Sequence, residues 1–174
     1  HPSNAREAME LKETLRAISN DARGWLKAWA KDFTDAEALE PSPERQAPNP
    51  LAWQLGHLAC VEDDVSQLFS SDPPPERLVP EALRAVCATG SPSPTRATRY
   101  LPLAELWALL EATHARLLDL LDTAGSADLH RPPRIANPYF RSLAQGVYES
   151  ALHENYHVGE IGALWKALGK PRIG

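Results

Sequence analysis

Two histidines four residues apart, within the stretch from Ala151 to Ile161, have the spacing of metal ligands. On an α-helix, His153 and His157 would lie one turn apart on the same face, with Cβ atoms about 5–6 Å apart. Two neutral imidazoles at that separation can bind one small cation, and histidine nitrogen is a common ligand of zinc. The spacing therefore predicts a metal site, with partly exposed polar histidines as the alternative.

The surrounding residues predict the helix that this pair requires. A capping-box pattern over residues 142–145 would begin the helix, and Gly169 would end it. At about 100° per residue, the side chains of His153, His157 and Glu160 fall within about 60° of one another. The pair and the glutamate are therefore expected along one inward-facing strip.

A third histidine, His57, lies on another predicted helix, from about Pro50 to Phe69. Alone, it would be interpreted as a hydrogen-bonded core residue. With His153 and His157 it could complete a set of three imidazoles, leaving a fourth coordination position open, as in catalytic zinc sites. The residues within about 40° of His57 on this helix are Trp53, Val61, Asp64 and Leu68.

Two more long helices complete the predicted architecture, over residues 4–33 and from about Pro102 to Asp122. The stripe predicted for the first consists of Ala8, Leu11, Leu15, Ile18, Ala22, Trp25, Trp29 and Phe33. A short helix is predicted over residues 80–88, and the sequence has no strand-like alternation. We therefore expect an all-α four-helix bundle, forming a single domain over residues 1–174. The long connection from Gly90 to Pro102 is expected to form a lid or a pocket wall.

Composition limits the classes of function. The 174 residues are 43% hydrophobic and 24% charged, which is typical of one globular domain with a sizeable core. The net charge of −5, with no basic cluster, argues against nucleic acid or a membrane as partner. No membrane span or signal peptide is evident, so a cytoplasmic protein is expected. Cys60 and Cys87 are too few for a disulfide framework. The expected partner is a small-molecule substrate, and a homodimer is left open.

Two other motif hypotheses compete for the helical histidines. His153-Glu154-x-x-His157 matches the H-E-x-x-H of zinc metalloproteases, in which Glu154 would be the general base. This short pattern recurs by chance, and only residues 158–174 follow it.

The second hypothesis is a di-iron site, because Glu111-x-x-His114 repeats the pattern Glu154-x-x-His157. Such a site also needs an inward glutamate from each of the other two helices. The candidates are predicted to point away from the apolar stripes or to lie near a terminus, and His114 is then expected at the edge of the core. These candidates are Glu7, Glu10, Glu13 and Glu62.

Residues 49–59, which read NPLAWQLGHLA, and residues 153–161, which read HENYHVGEI, together resemble the DinB/YfiT-like family of small bacterial proteins. The family is unrelated to the DNA polymerase that shares its name. The match covers most of the chain. It implies a four-helix bundle that binds a divalent metal, zinc or nickel among others, on histidines matching His57, His153 and His157. Characterised relatives include thiol-dependent S-transferases, a maleylpyruvate isomerase that uses a low-molecular-weight thiol, and an N-terminal domain of sulfoxide synthases in ergothioneine biosynthesis.

The chain departs from the family pattern at Glu160, where relatives commonly carry glutamine. The sulfoxide synthases have an acidic residue one position earlier, where this chain has Gly159. A carboxylate at Glu160 could accept a proton from a metal-bound thiol or water, or orient a histidine, and it is the predicted catalytic residue.

The combined expectation is a metal-dependent enzyme that transfers a small thiol cosubstrate to an electrophile, with the metal lowering the pKa of the thiol. Hydrolysis by metal-bound hydroxide is the alternative enzyme activity. A non-catalytic metal-binding or stress-response module is the alternative class.

Overall fold

The computed structural model describes residues 2–40 and 48–171, and within these ranges it contains seven helices and no strand. The four long helices are α1 (Pro2–Ala30), α3 (Leu51–Phe69), α5 (Leu103–Thr123) and α7 (Leu143–Ala167). The three short helices are α2 (Asp35–Leu39), α4 (Glu81–Cys87) and α6 (Ser126–Leu129). The predicted all-helical class is confirmed. None of the helices in the described ranges is long and apolar enough to cross a membrane.

The ends of α7 follow largely from its local sequence. Ser142 Oγ accepts a hydrogen bond from the backbone N–H of Gln145 at 3.2 Å, which is half of the predicted capping box. The other half is absent, because Gln145 Oε1 accepts from the backbone N–H of Arg141 instead. The helix ends before Gly169, whose φ of +67° lies in the left-handed region that favours glycine.

The long helices pack in pairs around two apolar clusters. α1 lies along α7 and α3 lies along α5, while α3 also contacts α7. The first apolar cluster includes Leu26, Leu55, Leu106, Ile161 and Trp165, and the second includes Leu15, Phe69, Leu117, Leu121 and Val147. The contact between α3 and α7 positions the candidate site, because these two helices carry the three candidate histidines.

The buried face of α1 differs from the predicted stripe. Trp25, which was expected to be buried, is 58% exposed, whereas the adjacent Leu26 is fully buried. The true buried face also contains Ser19 and Arg23, each only 3% exposed. An apolar pattern follows hydrophobic residues alone, so it misplaced a face that includes a buried serine and a buried arginine.

Candidate metal centre

The structure brings the three predicted histidines together. His57 from α3 and His153 and His157 from α7 each offer one ring nitrogen, and these nitrogens all lie within 4.8 Å of one another. Nε2 of His153 and Nε2 of His157 are 3.1 Å apart. Helical spacing explains the pair on α7, and the packing of α3 against α7 adds the third ring.

His57 is fixed by the packing of the short helix α4. A Cβ added at Gly56 would lie 2.7 Å from Cys87 Sγ, so glycine at this position permits the close approach of α4 to α3. The carbonyl oxygen of Cys87 then lies 2.7 Å from His57 Nδ1. Because a carbonyl only accepts, Nδ1 carries the proton and Nε2 keeps a free lone pair. The ring of Trp53 stacks on His57 with centroids 4.6 Å apart.

His157 is fixed in the same way by two side-chain acceptors. Its Nδ1 lies 3.1 Å from Gln54 Oε1 and 3.0 Å from Glu160 Oε2. Gln54 Nε2 donates to the backbone carbonyl of Asn49 at 2.8 Å, which directs its Oε1 toward the histidine. Nδ1 of His157 is therefore the protonated nitrogen, and its Nε2 is free to bind a cation.

His153 provides the test of whether the histidines fit a metal ion. Its Nδ1 is buried, with no hydrogen-bond partner in the part of the chain that the structure describes. Its Nε2 lies 3.1 Å from the unprotonated Nε2 of His157, so a proton or a cation must lie between these two atoms. Nitrogen ligands of a tetrahedral zinc ion, each about 2.0–2.1 Å from the metal, are about 3.4 Å apart. The donor set therefore fits a divalent cation such as zinc.

Burial also keeps the three rings in the protonation state that metal binding requires. It lowers the pKa of His57, and it lowers the pKa of His153 to about 4 and that of His157 to about 3. Neighbouring histidines lower the last two values further. All three imidazoles are therefore neutral near pH 7.

Glu160 lies beside Nδ1 of His157, whereas the other ring nitrogen, Nε2, faces His153. Its Oε2 faces His157 Nδ1, and its Oε1 accepts a hydrogen bond from the Tyr156 hydroxyl at 3.1 Å. Burial raises the pKa of Glu160, and the hydrogen bond from Tyr156 opposes this effect. In this arrangement the carboxylate contacts a histidine directly.

A cavity of about 860 Å³ opens onto the histidines. It reaches His57 and His153, and part of its wall is the face of α3 around His57 that carries Val61, Asp64 and Leu68. Another part of the wall comes from the connection between α6 and α7. Its residues in the cavity are Arg134, Ile135, Asn137, Pro138, Tyr139 and Phe140.

The predicted pocket wall over residues 90–102 does not line this cavity, although the structure describes all of that segment. The connection before α7 forms the wall instead, because two arginines hold it against the C-terminal end of α3. Arg131 donates to the carbonyl of Phe69 at 2.9 Å, and Arg134 donates to the carbonyl of Gln67 at 2.9 Å. Cations are favourable at this end of a helix, where carbonyl groups are unpaired.

The two cysteines are poor candidates for a nucleophile. Both are free and buried, and burial raises the pKa of Cys60 and of Cys87 to about 12. Near neutral pH both therefore remain thiols, which are far less reactive than thiolates.

A second buried polar cluster lies among the four long helices. Glu62, His114 and Glu154 also offer atoms within 4.8 Å of one another, but the guanidinium of Arg23 lies among them. Arg23 Nη2 is 3.0 Å from Glu62 Oε1, and Arg23 Nε is 2.7 Å from Glu154 Oε1. His114 Nδ1 lies 2.7 Å from Glu62 Oε1. We refer to these four residues as the Arg23 cluster.

This cluster corrects two predictions. Glu62 was expected to point away from the core, yet it is only 4% exposed, and His114 is buried rather than at the core edge. Burial alone would lower the pKa of Arg23, but Glu62 and Glu154 raise it, so the guanidinium stays charged. A hydrophobic pattern does not predict this arrangement, because burial of Glu62 and Glu154 becomes favourable only beside a cation, and Arg23 on α1 is distant from both in sequence.

The Arg23 cluster also removes the two competing motif hypotheses. Both oxygens of Glu154 lie within hydrogen-bond distance of Arg23, at 2.7 and 3.4 Å. Glu154 is therefore not free to act as the general base of a metalloprotease. A di-iron site would need the carboxylates that Arg23 already pairs with.

Comparison with known families agrees with the motifs. A model of the DinB superfamily matches residues 13–161, a range that includes the three histidines and the four residues of the Arg23 cluster. No curated protein sequence matches the chain.

Proposed function

The chain belongs to the DinB superfamily, and from this premise we propose that it is a divalent-metal-dependent enzyme with a mononuclear site on His57, His153 and His157. Its proposed activity is the transfer of a low-molecular-weight thiol to an electrophilic small molecule. The observation that carries the proposal is the cavity of about 860 Å³ that reaches His57 and His153. A metal-binding module without catalysis would need no such access for a small molecule. The four long helices would form the four-helix bundle that the resemblance implies.

The proposed metal is zinc or nickel, since imidazole nitrogens suit both. When bound, such a cation supplies a Lewis acid that lowers the pKa of a thiol or of water. The chain's own residues prepare the site. Cys87 and Gln54 hold the Nδ1 protons of His57 and His157, so that both Nε2 atoms face the site. We propose that Glu160 acts through His157, by holding the same Nδ1 proton.

In the proposed transfer, the thiol sulfur forms a bond to an electrophilic carbon of the second substrate. The S–H bond breaks and its proton passes to water, which can reach the open cavity. In a substitution, the bond between this carbon and its leaving group breaks, and the leaving group takes the electron pair. In an addition, the π bond breaks instead, and its electron pair moves to the neighbouring atom of the double bond. The apolar wall of Ile135, Pro138 and Tyr139 offers a surface for the electrophile.

The test is conjugation of several small thiols to a model electrophile, such as a chloronitrobenzene, by protein reconstituted with zinc or nickel. At least one pair should react faster with the metal-loaded protein than with the chelated protein. His153→Ala should abolish the acceleration. The matched control is His130→Ala, which removes an exposed histidine and should leave the rate unchanged.

Absence of metal-dependent conjugation in every pair would contradict thiol transfer. In that case the same preparations would be assayed for hydrolysis of activated esters and amides. Metal-dependent hydrolysis would establish the alternative activity, in which the metal activates water. Inactivity in both assays, with metal bound, would leave the non-catalytic metal-binding or stress-response module.

A further inference from the structure

The cavity contains charges that the protein itself does not neutralise. Four charged side chains line it, namely Asp64, Arg77, Arg134 and Glu149. Asp64 and Arg77 pair with each other, with Oδ1 and Nη1 2.7 Å apart, in a network that also includes Asp63 and Arg84. The Glu149 side chain, in contrast, has no hydrogen bond or ion pair within residues 2–40 and 48–171. The cavity therefore contains one carboxylate without a counter-charge.

Arg134 is the complementary cation. A guanidinium has five N–H donors, and in Arg134 one donates to the carbonyl of Gln67 at 2.9 Å. Nη1 has only a distant contact with Asp72, at 3.5 Å, and the Asp72 side chain is 86% exposed. Such a solvent-exposed pair neutralises little charge. Nε of Arg134 is buried without a partner among the described residues.

One unneutralised cation and one unneutralised anion in the same cavity are complementary to a small molecule that carries both charges. We propose that the cavity binds a zwitterionic, amino-acid-type ligand, with Arg134 pairing with its carboxylate and Glu149 with its ammonium group. Glu149 lies one turn before His153 on α7, which places the ammonium end of the ligand near the histidines. The inference rests on the proposed function in taking this cavity as the substrate site.

The apolar wall accounts for the remainder of such a ligand. Ile135 and Tyr139 are 65% and 67% exposed, although both are large hydrophobic residues. They line the same cavity as the two unneutralised charges. An apolar side chain of the ligand would cover them, while its charged head group contacts Arg134 and Glu149.

The direct test measures the affinity of the full-length protein for S-methyl-L-cysteine by calorimetric or NMR titration. Its methyl ester lacks the carboxylate, and its N-acetyl derivative lacks the ammonium group. Each derivative should bind roughly 10- to 100-fold more weakly, the loss expected for one charge-assisted hydrogen bond. Equal affinity for all three compounds, or no binding of any, would overturn the proposal without any substitution in the protein.

Substitutions assign each charge to its partner. Glu149→Gln should weaken the binding of S-methyl-L-cysteine but not that of its N-acetyl derivative. Arg134→Gln should weaken the binding of S-methyl-L-cysteine but not that of its methyl ester. If Glu149 only positioned His153, Glu149→Gln would change both affinities equally, and the assignment would be wrong. Glu105→Gln, which removes an exposed glutamate outside the cavity, is the matched control.

A dipeptide probe, alanyl-S-methylcysteine, distinguishes a free amino acid from a small peptide, because its two charges lie further apart. Whichever of S-methyl-L-cysteine and alanyl-S-methylcysteine binds more tightly, with the same dependence on both charges, supports the proposal. It also shows which distance between the ammonium and carboxylate groups suits the cavity.

The thioether has no thiol to transfer, so this result is independent of the proposed reaction. Charge-dependent binding without thiol transfer would leave the ligand class in place and reject the transferase. Thiol transfer by a protein that binds all the probes equally would support the transferase and reject the zwitterionic ligand.

Discussion

The molecule contains two buried clusters of metal-binding residue types, and the two differ in whether the chain provides its own cation. The histidine triad, formed by His57, His153 and His157, consists of neutral imidazoles, and acceptors occupy Nδ1 of His57 and His157, so that their Nε2 atoms face the site. The Arg23 cluster has a guanidinium already bound between its carboxylates. Ligand-type residues within 4.8 Å of one another are therefore insufficient evidence for a metal site.

The two clusters also differ in access. His57 and His153 of the triad line a cavity of about 860 Å³, whereas Arg23, Glu62 and Glu154 do not line it. A buried ion pair is costly to break, because removal of one partner leaves the other charge unpaired in a medium of low polarity. We infer that the Arg23 cluster fixes how the long helices pack, while the triad remains accessible to a small molecule through His57 and His153.

The largest expected effect is on metal content. The parent protein should hold about one divalent ion per chain, since three neutral imidazoles form one mononuclear site. His57→Ala, His153→Ala and His157→Ala should each remove most of it, as measured by elemental analysis after dialysis. His114→Gln, which alters the Arg23 cluster, should keep the full content. Loss of metal in His114→Gln, with retention in the other three variants, would reverse the roles assigned to the two clusters.

The next effect is on stability. Arg23→Ala removes the cation between Glu62 and Glu154, and should lower the free energy of unfolding by about 3–5 kcal/mol, as for other broken buried pairs. Chemical denaturation followed by circular dichroism measures it. Lys27→Ala is the control, since it breaks an exposed ion pair with Glu111, for which about 0–1 kcal/mol is expected.

If Arg23→Ala does not fold, Arg23→Lys keeps the charge but loses the forked geometry that reaches both glutamates. It should still be measurably less stable than the parent. Stability equal to that of the parent in either variant would contradict the structural role of the cluster.

Sequence patterns could predict the triad but not the Arg23 cluster, for a physical reason. His153 and His157 lie one turn apart on a single helix, so local geometry fixes their relation. For His57, helix geometry predicted only an inward-facing side chain that could join the pair, and the resemblance to a family supported its place in the set, because its approach to α7 depends on tertiary packing. Glu62 and Arg23 lie 39 residues apart on different helices, and each alone resembles a solvent-exposed residue. Their burial becomes favourable only when the opposite charges meet.

A smaller effect is expected from Glu160, which contacts the triad without lining the cavity. Glu160→Ala should weaken metal binding by about 10- to 100-fold, the usual result of losing the partner of a ligating histidine. Competition with a chelator measures the affinity. Glu160→Gln keeps an acceptor for Nδ1 of His157 and should therefore lose less metal affinity than Glu160→Ala. If metal affinity stays unchanged while turnover falls by about 10²–10⁴-fold, Glu160 is a general base instead.

The smallest effect should follow removal of the metal itself, which we expect to leave most of the helical signal in circular dichroism. Without a cation, His153 Nε2–H can donate to Nε2 of His157, 3.1 Å away, so no charge is left buried without a partner. The apolar clusters and the Arg23 cluster are also unaffected. The melting temperature should fall only by the contribution of ligand binding. Collapse of the helical signal on chelation, as in zinc fingers, would make the metal structural and remove the distinction between the two clusters.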